Sequence, residues 1–174
     1  MRTNLSIDTY VQIREAKASD VEIMAEVCRS NASLYDPIMP GAFKKQAEKF
    51  ITNGLPQSYS PFIIQRSNED VGFIGYKDVS EMSRYLIALY LLSDFQRKGI
   101  GDKAINEFFK RASDDGINEI ILLVHERAHW ARQFYEKKGF VIVSREEDYI
   151  RAYDSGILRD YYLPNTVLMK RRLL

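Results

Sequence analysis

Apolar positions along this chain recur with two different periods, and the places where one gives way to the other outline the elements. Val11-Gln12-Ile13-Arg14 alternates apolar and polar residues, as a half-buried strand does. Ser19-Asp20-Val21-Glu22 then has the spacing of a capping box, and Ile23, Met24, Val27 and Cys28 follow on one helical face. The spacing predicts that this helix ends near Asn31. Asp36-Pro37-Ile38-Met39-Pro40-Gly41 breaks the chain, and a second amphipathic helix runs from there to about Asn53.

Three strand-forming runs come next, at 62–64, 71–77 and 85–92. The turn-like segments Ser67-Asn68-Glu69-Asp70 and Ser80-Glu81-Met82-Ser83 separate them, and such short links predict antiparallel neighbours. Ile100, Ala104, Ile105, Phe108, Phe109 and Ala112 return to helical spacing, which stops at Asp114-Asp115-Gly116. Residues 120–124 read as a buried strand, 129–138 as a helix, and strands start at Phe140 and Thr166. Residues 144–164 carry no clear period and are compatible with a longer hairpin or an irregular loop. Residues 1–9 are polar and are expected to fray. There is no repeat or low-complexity linker, so residues 1–174 read as one domain.

Composition narrows the function classes. Charged residues are 28% and hydrophobic residues 45% of the chain, the balance of a soluble globular protein. The net charge of +1, from 25 basic and 24 acidic residues, provides no global field toward nucleic acid or a membrane. Lys170-Arg171-Arg172 reads as a solvated end. Cys28 is the single cysteine, so no internal disulfide can form; its place on an apolar face marks it as core, not as a nucleophile. Neither a signal-peptide run nor a membrane-spanning stretch is present, and a cytoplasmic location is expected.

The most informative junction is Leu89-Tyr90-Leu91-Leu92-Ser93-Asp94-Phe95-Gln96-Arg97-Lys98-Gly99-Ile100-Gly101. A strand runs through a short basic turn into a helix. The first turn of a helix leaves backbone N–H groups without partners at the positive end of its dipole. Glycines remove the Cβ atoms that would hold a phosphate away from those donors. The junction therefore suits a phosphate or pyrophosphate, although an ordinary strand-to-helix turn would share the pattern. A second motif competes with it. His125-Glu126-Arg127-Ala128-His129 has the His-Glu-x-x-His spacing that places two zinc ligands and a general base on one helix. The strand-like run before it, Arg127 beside the site and the lack of a third histidine count against a metallopeptidase.

Gln96-x-x-Gly99-x-Gly101 resembles the acyl-CoA signature of the GNAT superfamily of N-acetyltransferases. Ala131-Arg132-Gln133-Phe134-Tyr135-Glu136-Lys137-Lys138-Gly139-Phe140 resembles the family's Ala-x-x-Phe-Tyr-x-x-x-Gly-Phe segment, at the expected separation. Asp70-Val71-Gly72-Phe73-Ile74-Gly75-Tyr76-Lys77 is similar to the strand preceding the cofactor strand. The resemblance spans about residues 60 to 143. It implies the order β-α-α-β-β-β-α-β-α-β-β, with which the periodicities agree. The implied fold is α/β of the α+β type: a mixed, mostly antiparallel sheet of about seven strands flanked by about four helices.

The resemblance also implies acetyl-CoA as co-substrate, no metal, and transfer to a primary amine by direct attack. The N–H groups of residues 97 to 102 would cradle the pyrophosphate, so Gln96, Arg97, Lys98, Gly99, Ile100, Gly101 and Asp102 are the cofactor-binding candidates. A backbone N–H near Leu91 would hold the thioester oxygen. Tyr135 would be the acid for the departing thiolate; a core aromatic is the alternative reading of it. Two positions depart from the family pattern. The cofactor strand lacks the carboxylate that many relatives place there, leaving Asp78 or Glu81 through water, or bulk solvent, to take the proton. Ala128 stands where relatives often have an asparagine. Segments 35–40 and 146–162 are expected to flank the acceptor cleft. The second holds Glu146, Glu147, Asp148, Asp154 and Asp160 among four tyrosines, which would suit a polyamine or lysine-like amine, though Arg145, Arg151 and Arg159 nearly neutralise it. A binding module without turnover and a homodimer stay open at this stage.

Overall fold

The computed structural model describes residues 10–173. The elements are β1 (Val11–Glu15), α1 (Val21–Tyr35), α2 (Ala42–Asn53), β2 (Ser60–Arg66), β3 (Glu69–Asp78), β4 (Ser83–Leu91), α3 (Ile100–Asp114), β5 (Glu119–His125), α4 (His129–Lys137), β6 (Val141–Ser144), α5 (Glu147–Gly156) and β7 (Thr166–Arg172). The fraying expected of residues 1–9 lies outside the described residues.

The seven strands form one sheet in the order β1-β2-β3-β4-β5-β7-β6. Every neighbouring pair is antiparallel except β4 with β5, which is parallel and joined through α3. The expected seven-stranded mixed sheet is present, with five helices rather than about four.

The two faces of the sheet are covered by different helices. Phe73 and Tyr76 stand three apart on β3, and side chains at odd spacing on a strand point to opposite faces. Phe73 meets Phe50 of α2 edge-on at 5.7 Å, whereas Tyr76 meets Phe108 of α3 at 5.8 Å. α1 and α2 therefore cover one face and α3 the other. A second, smaller core gathers Tyr85, Ile121, Ile150, Leu158 and Leu168.

Three local expectations change. α1 continues past Asn31 to Tyr35, because Ala32 and Tyr35 extend its buried face and Asn31 itself is buried and hydrogen-bonded. The turn that starts this helix is held by Asp20, not Ser19: the Asp20 carboxylate accepts from the Lys17 N–H at 2.6 Å and from Arg14 at 2.7 and 2.9 Å. Finally, 144–164 is neither a long hairpin nor wholly irregular. It contains α5, whose regular geometry gives way at Tyr153 and turns through positive φ at Asp154 and Ser155. No helix among the described residues is long and apolar enough to cross a membrane.

Candidate active site

β4 and β5 run side by side only from Ser83–Leu86 against Glu119–Leu122. Beyond that point β4 stays on β3 as far as Leu91, and β5 stays on β7 as far as His125. Gly75 pairs with Ala88 and Tyr76 with Leu86, which leaves Ile87 as an extra residue. A bulge of this kind bends the strand that carries it, and here it coincides with the parting of β4 from β5. A cavity of about 820 Å³ opens in the gap.

The open edge of β4 can be read from its other edge. The Leu92 N–H donates to the Val71 carbonyl at 2.8 Å. In an antiparallel ladder hydrogen-bonded and non-bonded pairs alternate, so Val71–Leu92 and Phe73–Tyr90 are bonded pairs. Leu89 and Leu91, lying between them, direct their N–H and C=O groups away from β3, toward the cleft. The Leu91 carbonyl accepts from Asn31 Nδ2 at 2.8 Å and from Gln96 Nε2 at 3.2 Å.

The chain then reaches α3 through a tight turn. Arg97 has φ +60° and Gly99 φ +78°, a region that favours glycine. Gly99 caps α3, so the N–H groups of Ile100, Gly101 and Asp102 belong to its unsatisfied first turn. Leu91, Gln96, Arg97, Gly99, Gly101, Asp102 and Tyr135, all singled out in the sequence, line the same cavity. Lys98 and Ile100 do not. Lys98 is exposed, with its ammonium 5.7 Å from the Phe95 ring, and the Ile100 side chain is 1% exposed in the core, so only its backbone faces the turn. Gln96 turns its amide inward, donating to Asn31 Oδ1 at 2.8 Å. Asp102 is ion-paired with Lys138, just past the end of α4, and Lys137 and Lys138 both line the cavity.

Tyr135 sits on α4 with Phe134 at 5.3 Å and Phe140 at 5.5 Å, both edge-on. Burial raises its phenol above the ordinary value, so the hydroxyl keeps its proton and is a donor. Tyr90 is likewise raised by burial among Tyr35, Phe43 and Phe73. Trp130, which also lines the cavity, meets Tyr35 edge-on at 5.4 Å.

Several sequence-level candidates fall elsewhere. Asp78 is outside the cavity, held by Arg84 Nε at 2.6 Å, and Glu81 lies in the β3–β4 turn. Of residues 146–162 only Tyr161 lines the cavity; Glu147 is paired with Arg151 on its own helix. His125 ends β5 and His129 starts α4, so the pair does not share a helix, and no metal-binding cluster occurs among the described residues. The metallopeptidase reading is overturned by that break in the helix. His125 is buried, lines the cavity and accepts the Arg127 N–H at Nδ1, 3.1 Å away. Burial, aided by Arg127, lowers its pKa. Ala128 is buried as the first residue before α4. Asn31 and Trp130 escaped the sequence reading, although Asn31 continues the apolar stripe of α1 and could have been noticed there.

The model of the acetyltransferase (GNAT) family matches residues 25–140. A spermidine N(1)-acetyltransferase of Thermoplasma acidophilum is 26% identical, over 83% of this chain and 99% of that protein. Among solved structures, the PaiA N-acetyltransferase of Thermoplasma acidophilum in complex with coenzyme A superposes with a TM-score of 0.68 at 20% identity, covering 94% of this chain and 99% of the other. Ard1 of Thermoplasma volcanium gives 0.64 at 22%, covering 94% and 98%. A GNAT acetyltransferase of Elizabethkingia anophelis with acetyl-CoA bound gives 0.60 at 17%, with the same coverage. These structural likenesses establish the fold.

Proposed function

Because this chain belongs to the acetyltransferase (GNAT) family, it is read as an acetyl-CoA-dependent N-acetyltransferase, and we propose that its cleft transfers the acetyl group to a primary amine by direct attack. The observation that carries this reading is the convergence, in one cavity, of the open β4 edge, the first turn of α3 and the Tyr135 phenol. The residues present fit the co-substrate. The N–H groups at the start of α3, with Arg97, Lys137 and Lys138, suit a pyrophosphate. The unpaired edge at Leu89 and Leu91 suits an amide-bearing arm added like a strand. The acetyl-CoA thioester supplies an activated acyl group with a thiolate leaving group.

In this mechanism the Leu91 N–H donates to the thioester oxygen as negative charge grows there. The amine nitrogen of the acceptor bonds to the acyl carbon, and the carbon–sulfur bond breaks. Tyr135 gives its proton to the departing sulfur, and the proton shed by the attacking nitrogen as it becomes an amide restores the Tyr135 phenol through solvent. Polyamines and lysine-type amines are among the acceptors to be tested, because one relative is named as a spermidine acetyltransferase.

Acetyl-CoA turnover, followed as free thiol release across polyamines, lysine peptides, peptide N-termini and aminoglycosides, tests the proposal. Acceptor-dependent release that falls at least tenfold in Tyr135→Phe is the expected result. A rise in melting temperature with acetyl-CoA but no release with any amine would instead mark a binding module without turnover. Neither binding nor release would sink the reading of Gln96 to Gly101.

A further inference from the structure

We infer that the acceptor is an α-amine, the terminal amine of an amino acid or peptide, carried beside an apolar side chain. This rests on the acetyl-transfer reading and specifies its acceptor.

The charged groups that line the cavity are Arg97, Lys137, Lys138 and one carboxylate, Asp102, which is already paired with Lys138. Among the neutral side chains that line it, the imidazole and the phenols carry protons to donate. The His125 Nδ1 lone pair is occupied by the Arg127 N–H, which places the ring proton on Nε2. The phenols of Tyr35, Tyr85 and Tyr135 are protonated at neutral pH, and burial raises them further. A cavity of this make-up welcomes the anionic phosphates but offers little to pull a proton from an ammonium. It also opposes the second and third charges of a polyamine.

Magnitudes then separate the acceptor classes. An amine of the lysine kind, with a pKa near ~10.4, is neutral in roughly one molecule in 2,500 at pH 7. An α-amine, near ~7.8, is neutral in roughly one in seven. The α-amine begins with an advantage of about 350-fold in reactive form, without any base from the protein.

The mouth of the cavity specifies the rest of the molecule. Leu34, Trp130 and Leu163 line it and yet remain 41%, 39% and 57% exposed. Large apolar groups gathered outward around a site are covered when an apolar partner enters. The Tyr161 ring, edge-on to Tyr85 at 5.0 Å, continues this wall inward, and the Lys77 ammonium lies 5.7 Å from the Tyr161 ring.

The test measures kcat/KM at pH 7 for leucinamide, a leucine-initiated tripeptide, glycinamide, spermidine and Nα-acetyl-lysinamide, with coenzyme A binding followed separately by thermal shift. The leucine compounds should exceed spermidine and Nα-acetyl-lysinamide at least tenfold, and glycinamide at least fivefold. The tripeptide against leucinamide distinguishes a peptide end from a free amino acid derivative. The gap between leucinamide and glycinamide should narrow in Leu163→Ser and in Trp130→Ala, with Leu163→Ser, an exposed site, guarding against a folding defect. Preference for spermidine or the lysine compound overturns the inference and leaves acetyl transfer standing. No turnover of any α-amine while coenzyme A binds overturns it as well. Failure to bind coenzyme A is the separate failure of the acetyl-transfer reading.

Discussion

Asn31 of α1 donates to the Leu91 carbonyl at 2.8 Å while accepting from Gln96 at 2.8 Å. One buried amide thus ties a helix, the last residue of β4 and Gln96 of the turn before α3 into one unit. Asn31→Ala leaves this cluster partly unpaired in a buried setting and should cost about 1–3 kcal/mol. We predict that coenzyme A affinity falls along with stability. Denaturant unfolding and calorimetric titration measure the two. Unchanged affinity in the folded variant would show that the cluster supports only the fold.

Gly72 lies opposite Leu91, and a Cβ built there would fall 2.3 Å from the Tyr90 carbonyl oxygen and 3.1 Å from the Leu91 Cα. The obstacle is backbone, which cannot rotate away. Gly72→Ala is expected to destabilise by about 1–3 kcal/mol, the range for overpacking. It should also lower kcat more than Gly99→Ala does, since it shifts the strand bearing Leu91. At Gly99 the φ of +78° is strained for alanine, but no atom lies within 4 Å of the added Cβ. A smaller loss of kcat in Gly72→Ala than in Gly99→Ala would count against this account.

Arg84, 2% exposed, is bound by Asp78 and Asp115, which are half-exposed, and lies 4.4 Å over the Tyr76 ring. Asp78→Asn alone should cost below about 1 kcal/mol, because Asp115 still pairs with the guanidinium. Removing both carboxylates strands a buried charge and should cost about 3 kcal/mol or more. The double substitution must therefore exceed the sum of the singles; additivity in chemical denaturation would refute the shared role.

His125 is held below its ordinary pKa, chiefly by burial. The unfolded chain, with an imidazole near ~6.5, then binds more protons than the folded chain just below that pH. Stability from this group is present above ~6.5 and is lost as the pH falls toward the lower folded value. His125→Gln should flatten the fall in melting temperature over that window. An unchanged slope would mean that another group causes it.

The legibility of these features in the chain differs by element. α3 and its glycine turn were plain, because an amphipathic stripe and a turn signal are written in consecutive residues. α5 was not, because only Ile150 of that helix is buried and its geometry breaks at Tyr153. Ile150 is fixed instead by Ile121, Leu158 and Leu168, partners that no local pattern names. The acids of 146–162 were placed near the acceptor by their order in the chain, while the fold turns them to solvent or to neighbouring arginines.

The amino-acid order by itself determined the strands, four of the helices, the glycine turn before α3 and the place of Tyr135 on a helix. Those depend on dihedral preference and on burial periods that operate over a few residues. Tertiary structure alone decided where β4 leaves β5 and that Asn31 meets a carbonyl 60 residues away. It also decided that Leu34, Trp130 and Leu163 line one cavity. Each of these depends on which distant segments end side by side, and that is settled by the joint packing of both faces of the sheet.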